Sequence, residues 1–206
     1  VVVIVVAGMG FWTWHNSPSF CSAFCHTPMN SYVETYNQQA DAPGTDKWGN
    51  EVSNSSAMLV VSHKEAGQNC LSCHEPIISQ QIGEVQATLT GDYYYPLEEA
   101  NLEVLMQNSG NDAGTGEQFC LKSGCHDGIN TVDDLTAATA DREFNPHDWS
   151  QHGVVACGNC HKAHETSEFY CTQCHLDATY SSVPNGWNVV IDGTTYKVND
   201  GQLVEQ

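Results

Sequence analysis

The sequence predicts a mainly α-helical chain with extensive loop, held together by something other than an ordinary apolar core. Three observations point there. The 206 residues include 10 cysteines and 10 histidines, against 40% apolar residues. The acidic side chains outnumber the basic ones 25 to 6, for a formal charge of −19. The runs that read as helices are short and separated by polar loops. The charge balance excludes nucleic acid as a partner, because binding a phosphate backbone requires Lys and Arg to replace its counterions.

Taken in order, the first element is Val1 to Trp14, an uncharged apolar run. As a helix its 14 residues would span about 21 Å, less than the roughly 20 residues a bilayer requires. It reads as the outer part of a membrane anchor with Trp12 and Trp14 at the interface, with a signal-peptide segment or an inter-subunit packing segment as alternatives. Residues 40–56, with Asp41, Pro43, Gly44, Asp46 and Gly49, form a polar loop rich in turn formers. Ser56 to His63 suits a short helix carrying His63 inward. Pro96 can start a helix whose stripe Leu97, Leu102, Leu105 and Met106 runs to Gly110. Asp133 and Asp134 can cap a short helix from Leu135 to Ala140. Near the end, Asn188–Ile191 and Thr194–Val198 flank Asp192-Gly193, the signature of a two-residue type I′ turn, and predict a small β-hairpin.

The cysteines fall into five pairs, and His follows the second cysteine every time. The pairs are Cys21/Cys25 with His26, Cys70/Cys73 with His74, Cys120/Cys125 with His126, Cys157/Cys160 with His161, and Cys171/Cys174 with His175. With ten His in the chain, five such coincidences have odds of about 3 in 10 million. Cys-x-x-Cys-His is the attachment signature of haem c: two thiols bond the porphyrin and the adjacent imidazole becomes an axial iron ligand. Three motifs have the two-residue spacer; the first has three residues and the third four. Zinc sites would need ligands converging in fours, and a disulfide framework would not explain the histidines. The expectation is five covalently bound haem c groups.

Five histidines remain: His15, His63, His147, His152 and His164, one for each iron's sixth position. Bis-imidazole iron is low-spin and closed, suited to electron transfer. His164 lies three residues after His161, on the same side of any helix starting there, so it should serve a neighbouring haem. His147 and His152 should also reach across, while His63 and His15 fit either arrangement. Met29, third after His26, is a weaker candidate ligand; packing against the porphyrin edge is the favoured reading, because the histidine count is complete without it. The motif histidines lie at 26, 74, 126, 161 and 175, so there is no fixed repeat. About 41 residues per haem are too few to bury each ring separately, so haem must pack on haem. The resulting organisation is an apolar segment at 1–14, a pentahaem cytochrome domain at 15–175 and a C-terminal cap at 176–206, around a haem-packed core.

The apolar segment, then Phe20 through Met29 with Tyr32 to Tyr36, and His63 ahead of Cys70-Leu71-Ser72-Cys73-His74, resembles the NapC/NirT-type anchored multihaem cytochromes. The resemblance covers roughly residues 1–80 and 152–175. It implies an extracytoplasmic protein taking electrons from a membrane quinol and passing them to a reductase or another acceptor. The chain is also similar to multihaem cytochromes that anaerobic bacteria pair with exported flavin-containing reductases. It departs from the NapC/NirT pattern in the first spacer, in the placing of Met29 and in having five motifs rather than four. The alternative expectation is a subunit of an extracellular cytochrome filament, with His15 ligating iron in the next copy of the chain. Five haems also suggest ammonia-forming nitrite reductases, but no Cys-x-x-Cys-Lys occurs here. An electron-transfer protein without substrate chemistry of its own is therefore expected.

Overall fold

In the computed structural model, which describes residues 2–75, 77–95, 119–121, 125–148, 153, 155–175, 178 and 180–205, short helices gather around the cysteine pairs and a small sheet closes the C-terminal end. Helix α1 (Val2–His15) buries none of its residues, and Val3, Ile4, Met9 and Trp12 are all well exposed. Among the described residues no helix is long and apolar enough to cross a membrane. Pro18 occupies the first turn of α2 (Pro18–Phe24), where its missing N–H costs nothing. The chain breaks at Cys25 and re-enters helix at once as α3 (His26–Tyr36).

The loop at 40–56 is more ordered than its composition predicts. Strands β1 (Gly44–Thr45) and β2 (Glu51–Val52) pair antiparallel, and Asp46 holds the turn by accepting from Trp48 N at 2.8 Å and Asn50 N at 2.9 Å. The helix expected over Ser56–His63 is two pieces, a 3₁₀ turn (Ser55–Ala57) and α4 (Leu59–Glu65), separated by Met58 in an extended conformation. The break lets Met58 drop into a small cluster with Val52 and Val61. Helix α5 (Cys70–Cys73) is a single turn. Next, α6 (Ile78–Thr90) stops at Gly91, whose φ of 73° is left-handed and suits glycine as a helix stop. The helix expected after Pro96, with Leu97, Leu102, Leu105 and Met106, lies outside the described residues.

Helix α7 spans Val132–Ala138, not Leu135 to Ala140, and its cap is Thr131, not Asp133 or Asp134. Thr131 Oγ1 accepts from Asp134 N at 3.2 Å while Asp134 Oδ2 accepts from Thr131 N at 3.0 Å, a reciprocal box that starts the helix three residues early. These donors, with Asn130 N foremost, hold the Asp134 carboxyl below the usual range. Helix α8 (Cys157–Cys160) is again one turn.

The predicted hairpin is present within a larger sheet. Strands β4 (Asn188–Ile191) and β5 (Thr194–Asn199) pair antiparallel across Asp192 and Gly193, both at positive φ as a type I′ turn requires. Two strands extend it: β3 (Glu168–Phe169) runs parallel to β4, and β6 (Gln202–Glu205) returns antiparallel to β5. The second turn is Asp200-Gly201, the same dipeptide with the same positive φ, so this strand too was legible. Phe169, Ala178, Val183, Val189 and Val198 form the cluster beneath the sheet, and Phe144, Cys171 and Trp187 pack against it.

Gly186 docks this sheet onto the rest. Its N–H donates to Val198 O at 2.8 Å, its φ is +85°, and a Cβ built there would lie 2.6 Å from Asn54 Cβ. Gly186→Ala combines left-handed strain with a clash, and is expected to cost about 3 kcal/mol. Thermal unfolding followed by circular dichroism should show a midpoint lower by roughly 6 to 12 °C; an unchanged midpoint would place the docking contact elsewhere.

Candidate haem-binding site

Three of the five cysteine pairs close on the same hydrogen bond. His74 N donates to Cys70 O, His161 N to Cys157 O and His175 N to Cys171 O, each at 2.8 Å, so each motif closes one turn. A turn puts residues i and i+3 on one face, which brings both thiols to one side with the histidine immediately beyond. Asn69 caps the Cys70 turn by accepting from Leu71 N at 2.9 Å. The longer first spacer keeps the same logic, because i and i+4 also share a face and Cys25 N donates to Cys21 O at 2.9 Å. In the third motif Cys120 ends a helical stretch and Cys125 follows in a turn; the spacer residues 122–124 lie outside the described residues.

The fifth motif departs from the α-helical pattern at Cys174. Its turn is 3₁₀ (Tyr170–Gln173), and Cys174 falls just past the end of that turn, unlike Cys73 and Cys160, which close α5 and α8 from within. The tighter winding shows in the bond that Cys174 N donates to Cys171 O at 3.2 Å, which spans three residues where an α-helix spans four. Cys171 is half-buried against the cluster beneath the sheet, whereas Cys174 is exposed, as are Cys73 and Cys125. The cause is the sheet itself: β3 ends at Phe169, so the motif starts directly from a packed strand and only its first thiol meets the cluster. The second thiol of the pair is left open to an incoming porphyrin edge.

None of the ten cysteines is in a disulfide, so no cross-link competes for the paired sulfurs. Burial, with Cys70 and Cys25 nearby, pushes the Cys21 thiol up to about 11. Burial also pushes Cys160 up to about 11, Cys171 adding to the effect. As protonated thiols, Cys21 and Cys160 exchange slowly with disulfides.

The histidines test whether the site fits haem. A metal–nitrogen bond of about 2.0 Å puts an imidazole centroid about 3.1 Å from the metal, so two imidazoles on opposite sides of one iron hold their centroids about 6.2 Å apart. His63 and His126 have centroids 6.2 Å apart with ring planes at 88°. His147 and His161 are 6.3 Å apart with planes at 5°. Each pair joins a motif histidine to one of the five remaining histidines, the first across 63 residues and the second across 14.

The other ring nitrogen of each of these partners is already engaged. His63 Nδ1 donates to Leu59 O at 2.8 Å, a carbonyl that can only accept. Thr139 Oγ1 sends its hydrogen to Leu135 O or Asn145 Oδ1, each at 2.8 Å, and so accepts from His147 Nδ1 at 3.2 Å. Thr35 Oγ1 lies 2.6 Å from His164 Nδ1. With Nδ1 carrying the hydrogen, all three present a bare Nε2, the form in which histidine binds metal. The donor set and its spacing fit haem iron.

His164 stands beside a different motif from its neighbour His161. Burial, then the charges of His74 and Lys47 against the opposing pull of Glu165, push the His164 imidazole down to about 3. Burial, then His147, His63 and His126, push His161 down to about 4. Both are therefore neutral at physiological pH, as ligation requires. The loop carrying them is clamped from several sides: Leu59 N donates to Lys162 O at 2.9 Å, Val60 N to Ala163 O at 3.0 Å, and Lys47 N to His164 O at 3.0 Å. Glu165 Oε1 meets Lys47 Nζ at 2.7 Å and Trp48 Nε1 at 2.9 Å.

His15 ends α1 among Trp12, Phe20 and Gln81, its centroid 4.7 Å from that of Phe20, and its Nδ1 is buried without a hydrogen-bond partner. His26 opens α3 and Met29 follows within its first turn. His175 lies beside Phe144, centroids 6.2 Å apart. His152 lies outside the described residues. Sequence reasoning passed over Thr35, Thr139 and the Leu59 carbonyl, which orient the ligands; only the four-residue step from Leu59 to His63 within a helix was a local signal. It also passed over Trp187, whose ring stands edge-on to His161 at 5.2 Å.

Turns that present paired thiols, with two pairs of imidazole centroids at the separation that two ligands of one iron would have, are features of a multihaem c-type cytochrome. Residues 62–176 match the cytochrome c3 family, to which the chain belongs. It is 53% identical over 192 residues to the cytochrome c-type protein Cgr1 of Eggerthella lenta, an alignment covering 93% of this chain and 85% of that one. No solved structure matches it. The chain thus carries covalently bound haem c and has an electron-transfer role.

If the facing rings share an iron, His63→Ala and His147→Ala should each convert one ferric haem to high spin, read by absorption and EPR. The perpendicular rings should give a strongly anisotropic low-spin signal that disappears with His63, and the parallel rings a rhombic one that disappears with His147. The reverse assignment, or no change, would refute the pairing.

Proposed function

We propose that the protein is a five-haem electron carrier of the NapC/NirT sort, held at the outer membrane face by α1, taking electrons from a membrane donor such as quinol and passing them to an extracytoplasmic reductase or acceptor. The observation that carries this reading is the pair of facing imidazole sets at 6.2 and 6.3 Å. Two protein nitrogens on one iron would leave no position there for a substrate, which supports electron transfer at those two haems, with quinol oxidation as the one substrate reaction the reading includes.

The assignment extends beyond these two sets. His164 serves the motif of His74, which lies near enough to act on it, in keeping with the expectation that it binds a neighbour's iron. His15 and His152 remain for His26 and His175, with Met29 unneeded. Side-chain neighbours also support a spatial order. Cys21 senses Cys70, linking the first and second motifs. His161 senses His63 and His126, linking the third and fourth. Cys160 senses Cys171, linking the fourth and fifth. Haem supplies, when bound, the one-electron couple and the π-system through which electrons pass. The chain would hold each iron between two imidazoles, burial holds His161 and His164 neutral, and the first motif lies beside the second while the third, fourth and fifth lie beside one another.

The organisation follows from the same argument, with 1–14 as the anchor, 15–175 as the pentahaem domain and 176–206 as the cap beside the last motif. Enclosure of His15 by Trp12, Phe20 and Gln81 of its own chain supports ligation within one copy rather than to iron in the next.

A pyridine haemochrome assay on native material should give five haems per chain. Negative-stain microscopy should show discrete detergent-bound particles that a quinol analogue reduces; long uniform fibres would instead make the protein a filament subunit. With a charge of −19, electron transfer to a basic partner should slow as salt rises, and rates indifferent to ionic strength would remove electrostatic docking.

A further inference from the structure

We propose that Thr35 is a positioning residue that sets the tautomer and basicity of His164 and, through it, the potential of the second haem. The proposal rests on the reading of His164 as that haem's axial ligand. Thr35 belongs to α3, nine residues after His26, and is almost wholly buried at 1% exposure. Its hydroxyl has a single hydrogen, directed to Tyr32 O at 2.8 Å. With that hydrogen on Tyr32 O, the lone pairs of Oγ1 face His164 Nδ1 at 2.6 Å and the nitrogen is the donor in the proposed arrangement. The tautomer is decided by hydrogen-bond bookkeeping, with Nε2 left bare for iron.

Tyr32, one turn earlier on α3, stands edge-on to the same imidazole with centroids 5.0 Å apart. Two side chains of one helix therefore fix both the hydrogen and the rotation of the ring. Of the three acceptors facing partner histidines, the one at His63 is a backbone carbonyl and the one at His147 is longer, at 3.2 Å, and shared with Asn145. Thr35 makes the shortest of these bonds and is a side chain, so this acceptor can be removed without disturbing the backbone.

The direction of the effect follows from charge. Donation from Nδ1 leaves negative character on the imidazole, makes Nε2 a stronger donor to iron and favours the ferric state. Removing the acceptor should raise the potential.

The test uses the haem-loaded protein with Thr35→Val, Thr35→Ala, Thr35→Ser and His164→Ala, each checked for haem content. Thr35→Val should move one haem's midpoint upward in a spectroelectrochemical titration and shift one low-spin EPR signal, while Thr35→Ser stays at the wild-type values. If Thr35→Val fails to load haem, Thr35→Ala, which cannot overpack the site, carries the same expectation. Wild-type potentials and EPR in the valine and alanine variants would overturn the proposal, as would a serine variant shifted as far as the valine one. His164→Ala separates the two levels. A new high-spin haem there, with silent Thr35 variants, leaves the ligand reading standing and removes Thr35; no high-spin haem removes the ligand reading, and the proposal with it.

Discussion

The backbone hydrogen bonds that Leu59 N and Val60 N donate to Lys162 O and Ala163 O hold the rest of the site in register. A helix leaves its first N–H groups without internal partners, and here the carbonyls of the loop after the fourth motif satisfy two of them. That contact ties His63, which rides on α4, to His161 and His164, which flank the loop. Further bonds spread from the same place. Ser167 N reaches Ala57 O and Asn188 N reaches Ser167 O, so the C-terminal sheet hangs from the same loop. On the other side Lys47 and Trp48 grip Glu165.

Such a junction is needed because the apolar clusters are small. Val52, Met58 and Val61 form one, and the residues beneath the sheet form the other. Neither cluster is large enough by itself to hold several ligand sets in mutual register. Instead, polar contacts with defined direction place the imidazoles, and burial keeps His161 and His164 uncharged. Burying a neutral imidazole costs far less than burying its cation, so the same enclosure that desolvates the rings readies them to bind metal. In c-type cytochromes the covalent thioethers and iron bonds then add the cohesion that a larger core would otherwise supply.

Much of the site was legible because its chemistry is local. A cysteine, a short spacer and Cys-His form a local pattern whatever surrounds them, so the five candidate attachment pairs stood out in the sequence. What spacing could not show is that the last of these turns is 3₁₀ and leaves Cys174 beyond its end, because the strand it follows is packed from elsewhere in the chain. The β4–β5 turn was legible for the same local reason, since Asp192-Gly193 needs positive φ and little else. The start of α7 was misplaced because Thr131 and Asp134 form a box three residues apart, a stronger signal than two adjacent acids. The helix expected over Ser56–His63 broke at Met58 because a buried tertiary cluster claimed that side chain. The order in the 40–56 loop came from Asp46 accepting two backbone donors, which composition alone does not reveal.

By itself, the sequence determined that five cysteine pairs end in histidine, that five further histidines accompany them, and that the surface is strongly acidic. These are properties of residue identity and short spacing. Which imidazole neighbours which was decided only by the tertiary structure, because His63 meets His126 across 63 residues and no fixed spacing in the sequence pairs His147 with His161. The same holds for Thr35 and His164, 129 residues apart. Pairing at that range depends on how α3, α4 and the 162–165 loop pack, and packing is a property of the whole chain.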